Sequence, residues 1–119
     1  MPAYNASPVI ALTPGDTVAL VNNAATDTGV TATQQVHIGP SGTASGTRVH
    51  VSNTTNQSCT IQTTNIADAT GNYKALTDAE TAEAIVVASG SDASFDPAVC
   101  WLRGDFGTAP TSGSLTIGR

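Results

Sequence analysis

Two histidines, His37 and His50, stand in a chain rich in serine and carrying nine acidic residues. Together these are the raw material of a Ser-His-Asp hydrolase. That chemistry needs a serine whose proton a histidine accepts, and a carboxylate that holds the imidazole ring. No G-x-S-x-G elbow is present, and both histidines fall on strand faces shared with Thr and Ser. They read as surface or interface residues. A glycosidase would need two acids facing one cleft. The acids are Asp16, Asp27, Asp68, Asp78, Glu80, Glu83, Asp92, Asp96 and Asp105, and nearly all fall in predicted turns, where aspartates accept bonds from local backbone N–H groups. There is no D-x-D-x-D-G calcium loop; Asp92 and Asp96 around Ser94 come nearest. No glycine pattern of the P-loop or Rossmann type occurs. We therefore expect no enzyme, no cofactor and no metal site.

Cys59 and Cys100 are the two cysteines. Their spacing is neither a zinc pattern nor a disulfide framework. Both lie in predicted strands beside apolar residues, which favours buried free thiols packing as small hydrophobes over a bridge between facing strands. Trp101, Arg103, Asp105 and Phe106 form the densest aromatic and charged cluster. An aromatic beside an arginine makes an interface anchor or a platform for a sugar ring. The plainer expectation places Trp101 in the core with Arg103 in solvent at the strand end. The candidate interface set is His37, Arg48, His50, Trp101 and Arg103. The sequons at Asn5, Asn53 and Asn56 read as chance in an Asn/Thr/Ser-rich chain.

The elements that must carry these residues are strands. Short apolar runs recur between turn residues, the all-β pattern. Strands are expected at Pro8 to Thr13, Thr17 to Val21 (Val18 and Leu20 on one face), Gly29 to Ile38, Thr47 to Asn53, Ser58 to Thr64, Tyr73 to Leu76, Glu83 to Ala88, Ala98 to Leu102 and Ser114 to Ile117. Period-two alternation turns Val30, Ala32, Val36 and Ile38 inward, then Val49 and Val51, then Cys59 and Ile61. Asn53-Thr54-Thr55-Asn56 reads as a turn joining the fourth and fifth of these strands into a hairpin. The run Ala84 to Ala88 reads as buried on both faces, and Ser89 to Asp92 as a turn. Thr77-Asp78-Ala79-Glu80 matches a capping box and permits at most one short helical turn near 77–82. The expected fold is all-β: an antiparallel two-sheet sandwich or jelly-roll-like barrel of about eight or nine short strands. It is read as a single domain over 1–119, with 1–7 an N-terminal arm.

Composition narrows the function classes. The net charge is −5, and the four basic residues Arg48, Lys74, Arg103 and Arg119 are scattered. A nucleic-acid partner or an anionic membrane would call for a basic footprint. The residues Met1-Pro2-Ala3-Tyr4-Asn5 do not resemble a secretory signal, so synthesis in a cytosol is expected. Only 11% of residues are charged, against about 25% in ordinary domains. Exposed strand edges carry unpaired N–H and C=O groups that recruit other chains, and lysines are a common guard. With Lys74 as the one lysine, the chain is expected to be covered in part by partners. The segment Ser41 to Gly46 is expected to order on docking.

Arg48-Val49-His50-Val51-Ser52-Asn53, Ser58-Cys59-Thr60-Ile61-Gln62 and Thr111-Ser112-Gly113-Ser114-Leu115-Thr116-Ile117-Gly118 resemble the β-segments of decoration (cement) proteins from tailed bacteriophage capsids. The resemblance is one of style and size, without a diagnostic motif, and transfers no functional residue. It implies a structural virion protein made in the host cytoplasm and located on the outer capsid surface. Its partners would be the major capsid protein and further copies of itself, as a trimer or dimer. It would stiffen the shell by bridging capsomers. The alternative is a tail, fibre or baseplate domain binding a receptor or carbohydrate.

Overall fold

A computed structural model of the chain describes residues 10–39, 48–65 and 73–119. The expected arm at 1–7 and the segment Ser41 to Gly46 lie outside the described residues. These form ten strands and no helix: β1 (Ile10–Leu12), β2 (Thr17–Val21), β3 (Val36–Ile38), β4 (Val49–Asn53), β5 (Cys59–Thr64), β6 (Lys74–Ala75), β7 (Val86–Val87), β8 (Ser91–Phe95), β9 (Cys100–Asp105) and β10 (Leu115–Gly118). They make two sheets. One runs β1-β3-β9-β5-β6, with β7 also paired to β5; the other runs β2-β10-β4-β8. Every pair is antiparallel except β1 with β3. The architecture is the two-sheet sandwich, not a closed barrel.

Alternation builds the core. In β4, β9 and β10 every second side chain is buried, and these faces meet between the sheets. Val36, Ile38, Val49, Val51, Ile61, Leu102, Leu115 and Ile117 are almost fully enclosed. The filling is aliphatic, with Phe106 the one large ring at its centre and Phe95 at its margin. Burying each such side chain stabilises the fold by about 1.5–3 kcal/mol. Gly104 leaves no room for a side chain. A Cβ there would stand 2.6 Å from Cys59 Sγ and 3.0 Å from Leu115 Cδ2. Thr33 is tied to the same spot: its Oγ1 accepts from Gly104 N at 2.8 Å, and its N donates to Gly104 O at 3.0 Å.

Arg119 fastens the sheets at one end. Nη1 donates to Leu12 O at 2.7 Å and Nη2 donates to Gly39 O. Its backbone exchanges bonds with Gly15 and Asp16, beside β2.

Several expectations need correction. The chain does not turn back on itself between β4 and β5; it crosses from one sheet to the other. Buried Asn53 makes the corner. Its Nδ2 donates to Gln57 O and Val87 O, both at 2.9 Å, and its Oδ1 accepts from Thr55 N at 3.0 Å and Thr55 Oγ1 at 2.6 Å. A side chain that supplies four bonds locally can redirect a backbone without leaving polar groups stranded. Of the expected strand at Gly29 to Ile38, only Val36–Ile38 is regular. Upstream, Ala32 bridges Asp105 one register step out of line with the β3/β9 pairing, and polar Thr33 and Gln35 are buried. Alternation also breaks in β2, where a bulge beside the Leu115/Thr116 step buries Leu20 and Val21 together.

The run at 84–88 is not two-sided. Val87 is buried and Val86 is 53% exposed. It follows a hairpin excursion: β6 pairs with β5, the chain leaves over 77–84, and β7 returns to the same edge of β5. At the tip is a single uncontinued turn, Ala82 N to Asp78 O at 2.8 Å, with Asp78 Oδ1 accepting from Glu80 N and Thr81 N. Asp78 does the capping expected of Thr77. Strand β8, predicted in part as a turn, was signalled only by the Ala93/Phe95 alternation.

Candidate interaction surfaces

The five candidate interface residues divide between opposite sides of the sandwich. His37, Trp101 and Arg103 occupy the outer face of the six-stranded sheet, so Trp101 is not in the core. Strand β9 buries Cys100, Leu102 and Gly104 and leaves Trp101, Arg103 and Asp105 half-buried on the other parity. His37 sits directly opposite Trp101 in the β3/β9 ladder, and their rings lie 4.4 Å apart at 31°. Directly opposed side chains in an antiparallel pair come close enough for such contact. Arg103 is held from two sides. Its guanidinium carbon lies 4.2 Å from the Tyr73 ring centroid, and Nε donates to Gln62 Oε1 at 2.8 Å. Tyr73, only 8% exposed, donates its hydroxyl to Gln35 Oε1. Ring and guanidinium are mutually satisfied. Trp101 is the partly open aromatic of this patch.

His50 lies on the outer face of the four-stranded sheet, opposite Ser94 in the β4/β8 ladder. His50 Nδ1 and Ser94 Oγ are 2.5 Å apart. The structure thus brings together a histidine and a serine that the sequence did not pair. They line a trough of about 310 Å³ with Thr17, Ser52, Asp92 and Thr116. Both residues are exposed. The cross-strand register alone accounts for their contact. Catalysis would further require a group orienting the ring and donors for an oxyanion.

Arg48 lies at the end of a third feature. Where β8 meets the 76–86 excursion, the sandwich opens into a groove of about 440 Å³ at the Arg48, Asp78, Glu80 and Asp96 end. It continues for about 290 Å³ past Glu83, Val86 and Ala93. Ile85 and Phe95 line both parts.

The remaining acids behave largely as turn residues. Asp16 accepts from Thr13 N and Oγ1, and that hydroxyl bond holds its carboxyl below the usual value. Asp27 accepts from Asn23 N at 3.2 Å and Asp96 from Ala98 N at 3.1 Å. Asp92 and Asp105 instead lie within strands. Among the described residues no group of three His, Cys, Asp or Glu is placed to hold a metal, and no helix is long and apolar enough to cross a membrane. Both cysteines are buried free thiols. Burial pushes the Cys59 thiol up to about 12 and also raises that of Cys100. Neither is a nucleophile at neutral pH.

Sequence reasoning missed Tyr73 and Gln62 as partners of Arg103, Gln35 as partner of Tyr73, and Ser94 as partner of His50. The signal available was parity, but pairing which strands adjoin required the fold. Comparison with protein-family models, curated proteins and solved structures finds no match.

Proposed function

We propose that this chain is a structural virion protein, not an enzyme, which binds the outer surface of a capsid and stabilises it by bridging capsomers together with further copies of itself. The observation carrying this reading is the state of the sheet edges. Among the described residues the four-stranded sheet ends in β2 and β8, each paired on one side only. Between them these two strands hold a single charged residue, Asp92. Of the two, β8 runs without a bulge, and an edge of that kind accepts a strand from a neighbouring molecule. The outer face of the four-stranded sheet supports it too: Ala19, Thr116 and Ser52 lie side by side across it, with Ser94 beside His50, and neutral hydrogen bonds lose little to salt.

The test is association. Purified protein should form a dimer or trimer by light scattering, or sediment with capsid shells of its source virus. A solitary monomer at high concentration that ignores shells overturns the proposal.

A second reading, a tail, fibre or baseplate domain that binds carbohydrate, draws on the position of Trp101 outside the core. Tryptophan on an outer sheet face beside Arg103 is the chemistry a sugar ring stacks on. Quenching of Trp101 fluorescence by a glycan, lost in Trp101→Ala, would favour it.

A further inference from the structure

We propose that the groove beside β8 docks one extended polypeptide segment bearing lysine or arginine among small apolar residues, which joins the four-stranded sheet as a fifth strand. This rests on reading the chain as a docking module, and it names the place and the chemistry of the grip.

The sheet edges are not equal. Strands β6 and β7 have two residues each and β1 has three. Strand β2 carries the bulge. Shortness and bulges both discourage pairing with another chain. Strand β8 has neither guard. It keeps an unbroken five-residue register with β4, from Ser91↔Asn53 to Phe95↔Val49, and among the described residues nothing pairs with its other side.

That side opens into the groove. Ile85, Phe95 and the half-exposed Val86 supply an apolar wall, suited to the inward side chains of an added strand. Asp78, Glu80, Glu83 and Asp96 stand around it, against the one cation Arg48. The other cations within the described residues stand elsewhere: Lys74 is in β6, Arg103 lies against Tyr73, and Arg119 bonds to Leu12 and Gly39. Pairing β8 with β8 of a second copy would bring like charge to like charge. The occupant that fits is therefore a cationic strand from a different protein.

The test uses the full chain and fluorescent peptides long enough to span β8, read by anisotropy and backbone amide shifts. A peptide of alternating valine and lysine should bind, shift amides of 76–86 and 91–95, and weaken with added salt. The same peptide N-methylated along its pairing edge should not bind. The double substitution Glu80→Lys and Glu83→Lys, both at exposed positions, should weaken binding at least about tenfold and create affinity for a valine–glutamate peptide. No binding, indifference to N-methylation, or shifts elsewhere overturn the inference. So do the same amide shifts appearing on concentrating the protein alone, which would put a second copy in the groove. Sedimentation with shells by a chain that ignores the peptide removes the groove and spares the virion role. Peptide binding without self-association or shell binding supports the groove and removes the virion role.

Discussion

Replacing Gly104 by alanine should destabilise the protein, and should cost nothing further once the Cys59 sulfur is removed. The new Cβ would stand 2.6 Å from Cys59 Sγ, 3.0 Å from Leu115 Cδ2 and 3.3 Å from Thr33 Cγ2. Comfortable contacts between such atoms lie near about 3.5–4.0 Å, so Cys59 must move by roughly an ångström inside a close-packed core. Overpacking of this kind costs about 1–3 kcal/mol. Removing glycine from a strand returns about 0.5–1 kcal/mol; with the contact to Cys59 a full ångström too short, the overpacking cost falls in the upper part of its range and the net loss is about 1–2 kcal/mol. For 119 residues that lowers Tm by about 4–8 °C. Cys59→Ala alone leaves a gap of about methyl size and costs about 1 kcal/mol. In the double variant the methyl introduced by Gly104→Ala occupies the space the sulfur left. The pair should then be about as stable as Cys59→Ala alone, a coupling of about 1–2 kcal/mol in a double-mutant cycle. Urea midpoints at constant m-value provide the measurement. A Gly104→Ala variant as stable as the parent, or losses that add within about 0.5 kcal/mol, would refute the tight packing of Gly104 against Cys59.

Ile61→Ala should cost about 2–5 kcal/mol by the same urea assay; a change near zero would mean that Ile61 does not face the core. Neither Cys59 nor Cys100 should react with a disulfide reagent at pH 8 until the protein is unfolded, and prompt reaction in the native state would contradict their burial. The raised Cys59 value also sets a pH dependence. Below the ordinary thiol value of 9.0 both states are protonated and nothing changes; between there and about 12 only the unfolded thiol ionises. Stability should therefore fall as pH rises through that window, by about 1.4 kcal/mol per unit at most, and Cys59→Ala should flatten the slope. Ser94 should not be labelled by a fluorophosphonate; labelling abolished by Ser94→Ala or His50→Ala would reopen the enzymatic reading.

The inward positions Val49, Val51, Cys59 and Ile61 were legible because alternation is a local property: side chains two residues apart share a face wherever the strand lies. The same rule assigned β9 two possible faces, and the larger ring drew the wrong choice. Burial follows the whole row. Cys100, Leu102 and Gly104 fit the narrow gap between the sheets, whereas Trp101, Arg103 and Asp105 would have carried two charges into it. The strand β8 was obscured because an edge strand exposed on most of its length needs few apolar residues to mark it.

Local chemistry along the chain was enough to establish an all-β protein, the bounds of the strand at Thr17 to Val21, those of the strand expected at Ser58 to Thr64 to within one residue, and the shortage of charge. Which strands lie side by side was settled only in three dimensions. Asn53 carries the chain across the sandwich where a turn was expected to fold it back; the β4/β8 ladder brings His50 to Ser94, the β3/β9 ladder sets His37 against Trp101, and the excursion between β6 and β7 flanks the groove beside β8. Each of these joins residues far apart in the chain, and the pairing of distant strands depends on how the apolar faces close on one another, which no short stretch of residues encodes.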